Sequence, residues 1–144
     1  MYKKIVVALD ESKEAHRALA SAINLAGLLK SALTILTVSE PLPIYAAFMD
    51  AEIPDGRQKL LNERNAFYSN LQEKGIAQAA AAGIHAHAVI IEGDEVQSIV
   101  DHIEEHKVDL LVIGRRHHSS VARFWGGTVH SVAEKSRCSI LAVY

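Results

Sequence analysis

Apolar positions along the chain gather into five compact runs: Lys4 to Leu9, Leu33 to Val38, Ala86 to Ile91, Leu110 to Ile113 and Ile140 to Tyr144. The first, fourth and fifth are nearly unbroken, and β-branched residues are frequent in all but the last. Continuous rather than alternating apolarity predicts strands covered on both faces. Between them the spacing turns helical. Ala15, Leu19, Ala22, Ile23 and Ala26 recur on one face of a first helix, with Ser12 as its N-cap. A second helix is predicted from Asp55 or Gly56 to about Ala82, with Leu60, Leu61, Phe67 and Leu71 inward and Gly75 as a weak point. A third opens at Asp94, three residues before Gln97 in a capping-box pattern, and carries a Val96, Ile99, Val100, Ile103 stripe. A short fourth, Thr128 to Lys135, turns Val129, Val132 and Ala133 inward.

The order is βαβαβαβαβ, which calls for parallel strands joined by helical crossovers on both faces of one open sheet. One stretch fits neither period: Glu40 to Pro54, with three prolines and Tyr45, Phe48 and Met49, reads as a flap or a partner contact. The closing run, Ser139 to Tyr144, carries no charged side chain. Such a strand is either central or, as a bare sheet edge, open to pairing with another chain. The preferred expectation is a homodimer through Ile140, Leu141, Ala142 and Val143.

At 144 residues the expectation is one domain over 1–144, large enough to bury roughly 70% of its unfolded surface. A formal charge of −2 lacks the basic excess of a nucleic-acid binder. Cys138 is the single cysteine, so no internal disulfide and no thiolate-rich metal site is expected. No apolar run nears the ~20 residues of a membrane span, and the N-terminal run is too short for a signal peptide. The expected location is the cytoplasm, with no membrane partner.

In an open parallel sheet, ligands bind beyond the carboxyl ends of strands where the winding reverses. Asp10 follows the first strand; Gly114 follows the fourth and begins a loop that runs to Thr128. A helix N-terminus offers unpaired N–H groups and partial positive charge, worth up to ~2 kcal/mol to an anion. Gly126 and Gly127 keep Cβ atoms out of the way, Thr128 adds a hydroxyl, and Arg115, Arg116 and Arg123 add charge suited to clamping phosphate.

The spacing Gly114-x2-His117-x9-Gly127-Thr128 resembles the nucleotide motif of the universal stress protein family, G-x2-G-x9-G-[S/T]. Ile5-Val6-Val7-Ala8-Leu9-Asp10-Glu11-Ser12 is similar to that family's first strand and acidic turn, Thr37-Val38 to its second strand, and Glu92-Gly93-Asp94 to the turn before its third helix. Arg137 to Val143 resembles its closing strand. The resemblance implies an α/β fold with a single open five-stranded parallel sheet, strand order 3-2-1-4-5 and helices on both faces, of the adenine nucleotide alpha hydrolase-like type. It implies that Ala8, Leu9 and Val38 meet adenine and Asp10 the ribose, that Ile113 and Gly114 lie beside ribose and phosphates, and that Gly127, Thr128, Val129 and His130 hold the phosphates. Arg115, for its charge, and His117, at the motif's second position, complete the candidate nucleotide-binding set. The ligand is then ATP, ADP or AMP, with magnesium accompanying a triphosphate, and many such members are dimers paired through the fifth strand.

His117 departs from the motif's second glycine. At a positive φ a non-glycine residue costs roughly 1–2 kcal/mol, although histidine is among those found there. Its ring intrudes on a triphosphate more than on adenosine or a monophosphate, yet imidazole can also donate to phosphate. Each site residue also has a plainer role: Asp10 as a cap for the first helix, Gly114 as a strand terminator, the arginine-rich loop as a solvated excursion. His102 and His106 stand four apart on the third helix, and His85 and His87 two apart, without a third ligand to make a metal site. Trp125 reads as loop packing and Cys138 as a buried small hydrophobe. No phosphate-loop, dinucleotide or nucleophile-elbow pattern is present, and no acid–base pair can be nominated. The expectation is a dimeric, nucleotide-binding stress-response domain that signals rather than catalyses, with at most weak ATP hydrolysis. The alternative is a dimer that binds no nucleotide and acts through protein contacts.

Overall fold

Side-chain direction alternates along the five strands, and this alternation sorts the core into two layers. The computed structural model describes residues 1–115 and 127–144. Its elements are β1 (Lys4–Ala8), α1 (Lys13–Leu29), β2 (Ala32–Ser39), a 3₁₀ helix (Ile44–Ala51), α2 (Gly56–Ala81), β3 (Ala86–Glu92), α3 (Glu95–His106), β4 (Leu110–Gly114), α4 (Thr128–Lys135) and β5 (Ser139–Val143). The strands form one sheet in the order β3-β2-β1-β4-β5, every neighbouring pair parallel. Val7 sits level with Ile35 on β2 and with Val112 on β4, so β1 is central and β1 and β4 are neighbours.

Ile5, Val7, Leu33, Ile35 and Val112 face α1 and α2, where Ala18, Leu19, Ala22 and Leu71 close over them. Val6, Leu36, Leu111 and Ile113 face the other way, beneath Ile99, Val100 and Ile103 of α3 and Val132 of α4. Cover on both faces holds for β1, β2 and β4, whereas β3 and β5, at the two edges of the sheet, are exposed at most positions and correct the expectation for those runs.

Helix starts follow local chemistry. The Ser12 hydroxyl accepts from the Ala15 amide at 3.1 Å, and the Asp94 carboxylate accepts from the Gln97 amide at 2.9 Å. Gln97 does not complete a capping box; its amide donates to Asp101 Oδ1 at 2.7 Å instead. For α2 the Asp50 carboxylate reaches back from the 3₁₀ helix to the Arg57 amide, 3.1 Å away. Glu40 to Pro54 is thus not irregular throughout, since Ile44–Ala51 coils into a 3₁₀ helix and buries Ala46 against the body.

α2 corrects the expected inner face. It is continuous through Gly75, but Phe67 is 48% exposed and Leu60 and Leu61 are only half-buried. The buried line is Leu71, Gln72, Gly75 and Ala79. A Cβ on Gly75 would stand 3.1 Å from Leu9 Cδ2 and 3.3 Å from Ile35 Cδ1, so the glycine permits α2 its close seat on the sheet. Ala133 of α4 is exposed rather than inward, and Cys138 is half-buried, with burial raising its thiol pKa above the ordinary value. β5 is an outer strand of the sheet, with Leu141 38% exposed. Among the described residues no helix is long and apolar enough to cross a membrane.

Candidate functional site

β1 and β4 end side by side in the sheet, with α1 packed on one face and α4 on the other. A crevice of about 1160 Å³ lies at the carboxyl ends of the strands. Its walls include Ala8, Leu9 and Asp10 from the end of β1 and Val38 from β2. Ile113, Gly114 and Arg115 come from β4, and Gly127, Thr128, Val129 and His130 from the start of α4. Eleven of the twelve residues singled out from the sequence therefore meet in one hollow; His117 lies outside the described residues. So do Arg116, Arg123, Trp125 and Gly126.

Each wall is held by identifiable bonds. The Leu9 amide donates to Leu36 O at 2.8 Å, extending the β1–β2 ladder one step past β1. Asp10 Oδ1 accepts from the Ser12 amide at 2.8 Å, so the helix cap is Ser12 and Asp10 braces the turn before it. Gly114 is fixed by sterics. A Cβ there would lie 2.5 Å from Glu14 C and 2.6 Å from Ala15 N in the backbone of α1. Packing alone thus demands glycine at 114. The Arg115 amide donates to Val143 O at 2.6 Å and carries the β4–β5 ladder to the crevice rim.

The α4 wall is different in kind. Its N-cap is Gly127, at φ −72° and ψ 172°, with no side-chain cap, and the first bond back into the helix is Ser131 N to Gly127 O at 3.1 Å. The amides of Thr128, Val129 and His130 belong to the first turn, whose N–H groups have no partner within the helix. Since that φ suits any residue, backbone conformation does not require the glycine. The Thr128 hydroxyl donates to Glu95 Oε2 at 3.1 Å, and His130 Nε2 lies 3.4 Å from Glu134 Oε1.

Sequence reasoning missed Glu40, Tyr68 and Glu95, all of which line the crevice. Tyr68 arrives from the middle of α2, its ring 5.3 Å edge-to-face from Phe67. Glu40 is anchored from below by Arg64, which donates to its carbonyl and to Glu92 Oε2, the latter at 2.7 Å. These residues join the site through tertiary packing and carry no local motif; the i, i+4 spacing of Arg64, Tyr68 and Gln72 was the only available signal.

The histidine pairs make no comparable site. His102 and His106 stack at 4.2 Å, with His106 Nδ1 3.1 Å from His102 O. Burial lowers the His102 pKa, the neighbouring His106 lowers it further and Glu105 opposes. His85 and His87 sit edge-to-face at 5.3 Å. Among the described residues no three His, Cys, Asp or Glu side chains are placed to hold a metal ion.

Comparison with known proteins matches residues 1–144 to the universal stress protein family. The chain belongs to that family. Universal stress protein YxiE of Bacillus subtilis is 28% identical over 151 residues, spanning 99% of both chains. Among solved structures, universal stress protein UspA from Lactobacillus plantarum superposes with a TM-score of 0.81 at 23% identity, covering 99% of this chain and 98% of that one. A universal stress protein in complex with cAMP gives a TM-score of 0.77 at 26% identity, covering 99% and 97%. The observed sheet order is thus that of a universal stress protein sheet.

Proposed function

We propose that this universal stress protein binds an adenine nucleotide in the crevice between the ends of β1 and β4, and that binding serves regulation rather than catalysis. The observation that carries the reading is the convergence of Asp10 and the uncapped start of α4 on one nucleotide-sized hollow. Ala8, Leu9 and Val38 offer backbone and apolar surface to a base, and Asp10 a carboxylate to ribose hydroxyls. Gly127 admits a phosphate to the amides of Thr128, Val129 and His130, with Ile113 and Gly114 beneath and Arg115 at the rim. A relative of 26% identity holds cAMP, which supports an adenine ligand here as well. On this reading ATP, ADP or AMP is the physiological ligand, with magnesium accompanying ATP, and the subunit pairs through β5 by way of Ile140, Leu141, Ala142 and Val143.

Isothermal calorimetry on protein stripped by unfolding and refolding tests the ligand, with ATP, ADP, AMP and cAMP as titrants. Micromolar to sub-millimolar binding that weakens on Asp10→Ala is the expected result. No heat and no thermal shift at millimolar nucleotide would overturn the proposal. Size-exclusion chromatography with light scattering tests the pairing, and a monomer at high concentration removes it.

A second reading, a stress-response domain acting through protein contacts without nucleotide, has one observation in its favour. The Glu95 carboxylate already engages the Thr128 hydroxyl at the phosphate end, and like charges repel there. Glu95→Gln separates the two readings. Under the nucleotide reading it strengthens binding, most for the longest phosphate chain; under the other it changes nothing.

A further inference from the structure

Gln72 and Thr37 are polar residues buried in an otherwise apolar layer, 4% and 1% exposed. Gln72 Nε2 lies 2.6 Å from Thr37 Oγ1, 3.1 Å from Val89 O and 3.2 Å from Ile35 O. Two of these three neighbours are carbonyls, which only accept, so the nitrogen rather than the oxygen must face them. Thr37 Oγ1 therefore accepts from Gln72 and spends its own proton on Leu9 O, 2.9 Å away. The bonds run in one direction, from the Gln72 amide through the Thr37 hydroxyl to the Leu9 carbonyl.

That carbonyl belongs to Leu9, which lines the crevice, and its peptide continues into Asp10, which lines it too. In a trans peptide the C=O and the next N–H point in opposite directions. Holding Leu9 O toward Thr37 therefore sets the direction of the Asp10 N–H and the path by which Asp10 enters its turn. α2 bears on Leu9 a second time through Gly75, whose missing Cβ lets the helix rest against the Leu9 side chain. One turn before Gln72 on α2, Tyr68 lines the same crevice.

A role in packing alone accounts poorly for Gln72. Its Oε1 is buried without a hydrogen-bond partner among the described residues. A leucine there would fill similar space without desolvating an amide, so stability is not what this side chain maximises. We propose that Gln72 is a positioning residue for the nucleoside end of the crevice, acting through Thr37 on the Leu9–Asp10 peptide. The inference rests on the nucleotide reading for its effect on affinity, though not for its effect on the peptide.

The experiment compares Thr37→Val, which keeps shape and removes the hydroxyl, Thr37→Ser, which restores it, and Gln72→Leu, which removes the donor. Affinities for adenosine, AMP and ATP are measured by calorimetry well below each variant's Tm. The amide resonance of Asp10 is followed by NMR without ligand. The expected result is a loss of about three- to tenfold in Thr37→Val and Gln72→Leu, the same for all three ligands, with Thr37→Ser within twofold of wild type. The Asp10 amide shifts in the first two and returns in the third. Affinities within twofold of wild type, or a loss that grows with phosphate number, would overturn the role. If the wild type binds no nucleotide, the nucleotide reading fails and the Asp10 resonance alone decides the relay: an unmoved resonance overturns it. Should Thr37→Val not fold, Gln72→Leu carries the same comparison.

Discussion

On the β1–β2 side of the crevice the protein supplies its own partners: the Leu9 amide meets Leu36 O, the Leu9 carbonyl meets the Thr37 hydroxyl, and Asp10 braces the Ser12 amide. On the α4 side the helix begins at a glycine with no side-chain cap, and the residues of its first turn line the hollow. The first wall is finished at the moment of folding. The second keeps polar groups in reserve, and an anion is the partner they suit. On the proposed reading, a nucleotide would meet a prebuilt surface at its base and helix N–H groups at its phosphate.

The contrast is most severely tested at Gly114, where the β4 wall is as fully built as the other. Gly114→Ala forces a Cβ into the α1 backbone, which cannot yield as a flexible side chain does. We expect a loss of about 3 kcal/mol or more, roughly 6–12 °C in Tm, by denaturant and thermal unfolding. A change under 1 kcal/mol would show that the strand end is looser than its contacts imply.

Gly127→Asp is the complementary change. A carboxylate at the N-cap serves the first-turn amides itself, so AMP affinity should fall about tenfold, near 1.4 kcal/mol. Stability should rise by a few tenths of a kcal/mol from the better cap. Parallel movement of the two quantities would contradict the idea that these amides are held for an anion. Asp94→Ala removes a cap that has a partner already, and should cost about 1 kcal/mol of stability with little effect on affinity.

The smallest effect concerns pH. Burial, and after it the neighbouring His106, holds the folded pKa of His102 below the unfolded value of about 6.5. The unfolded chain then binds the extra proton first. The associated stability is present above pH 6.5 and is lost as pH falls through the interval down to the folded pKa. The Tm of wild type should decline across that interval more than that of His102→Gln. Equal slopes would remove His102 as the cause.

The sheet was legible in the sequence because a strand buried on both faces must be apolar throughout, and Ile5 to Leu9 or Leu110 to Ile113 can hardly be anything else. Ser12 and Asp94 were legible as caps because capping is a local transaction. α2 was misread because its inward line is Leu71, Gln72, Gly75 and Ala79, residues chosen for close approach and hydrogen bonding rather than greasiness, while Phe67 faces out. The 3₁₀ helix was hidden among prolines that obey neither period. At the site, backbone positions around the family motif could be read in advance. Glu40, Tyr68 and Glu95 could not, since only the tertiary fold brings them there.

The glycine at 114 has one further consequence, for how descendants of this protein should be judged. Its lack of a side chain is enforced by the main chain of a neighbouring helix, so selection would keep it in a lineage that had abandoned small molecules altogether. Persistence there is uninformative. On the proposed nucleotide reading, decay of that chemistry would first become visible at 127, where backbone conformation permits any amino acid.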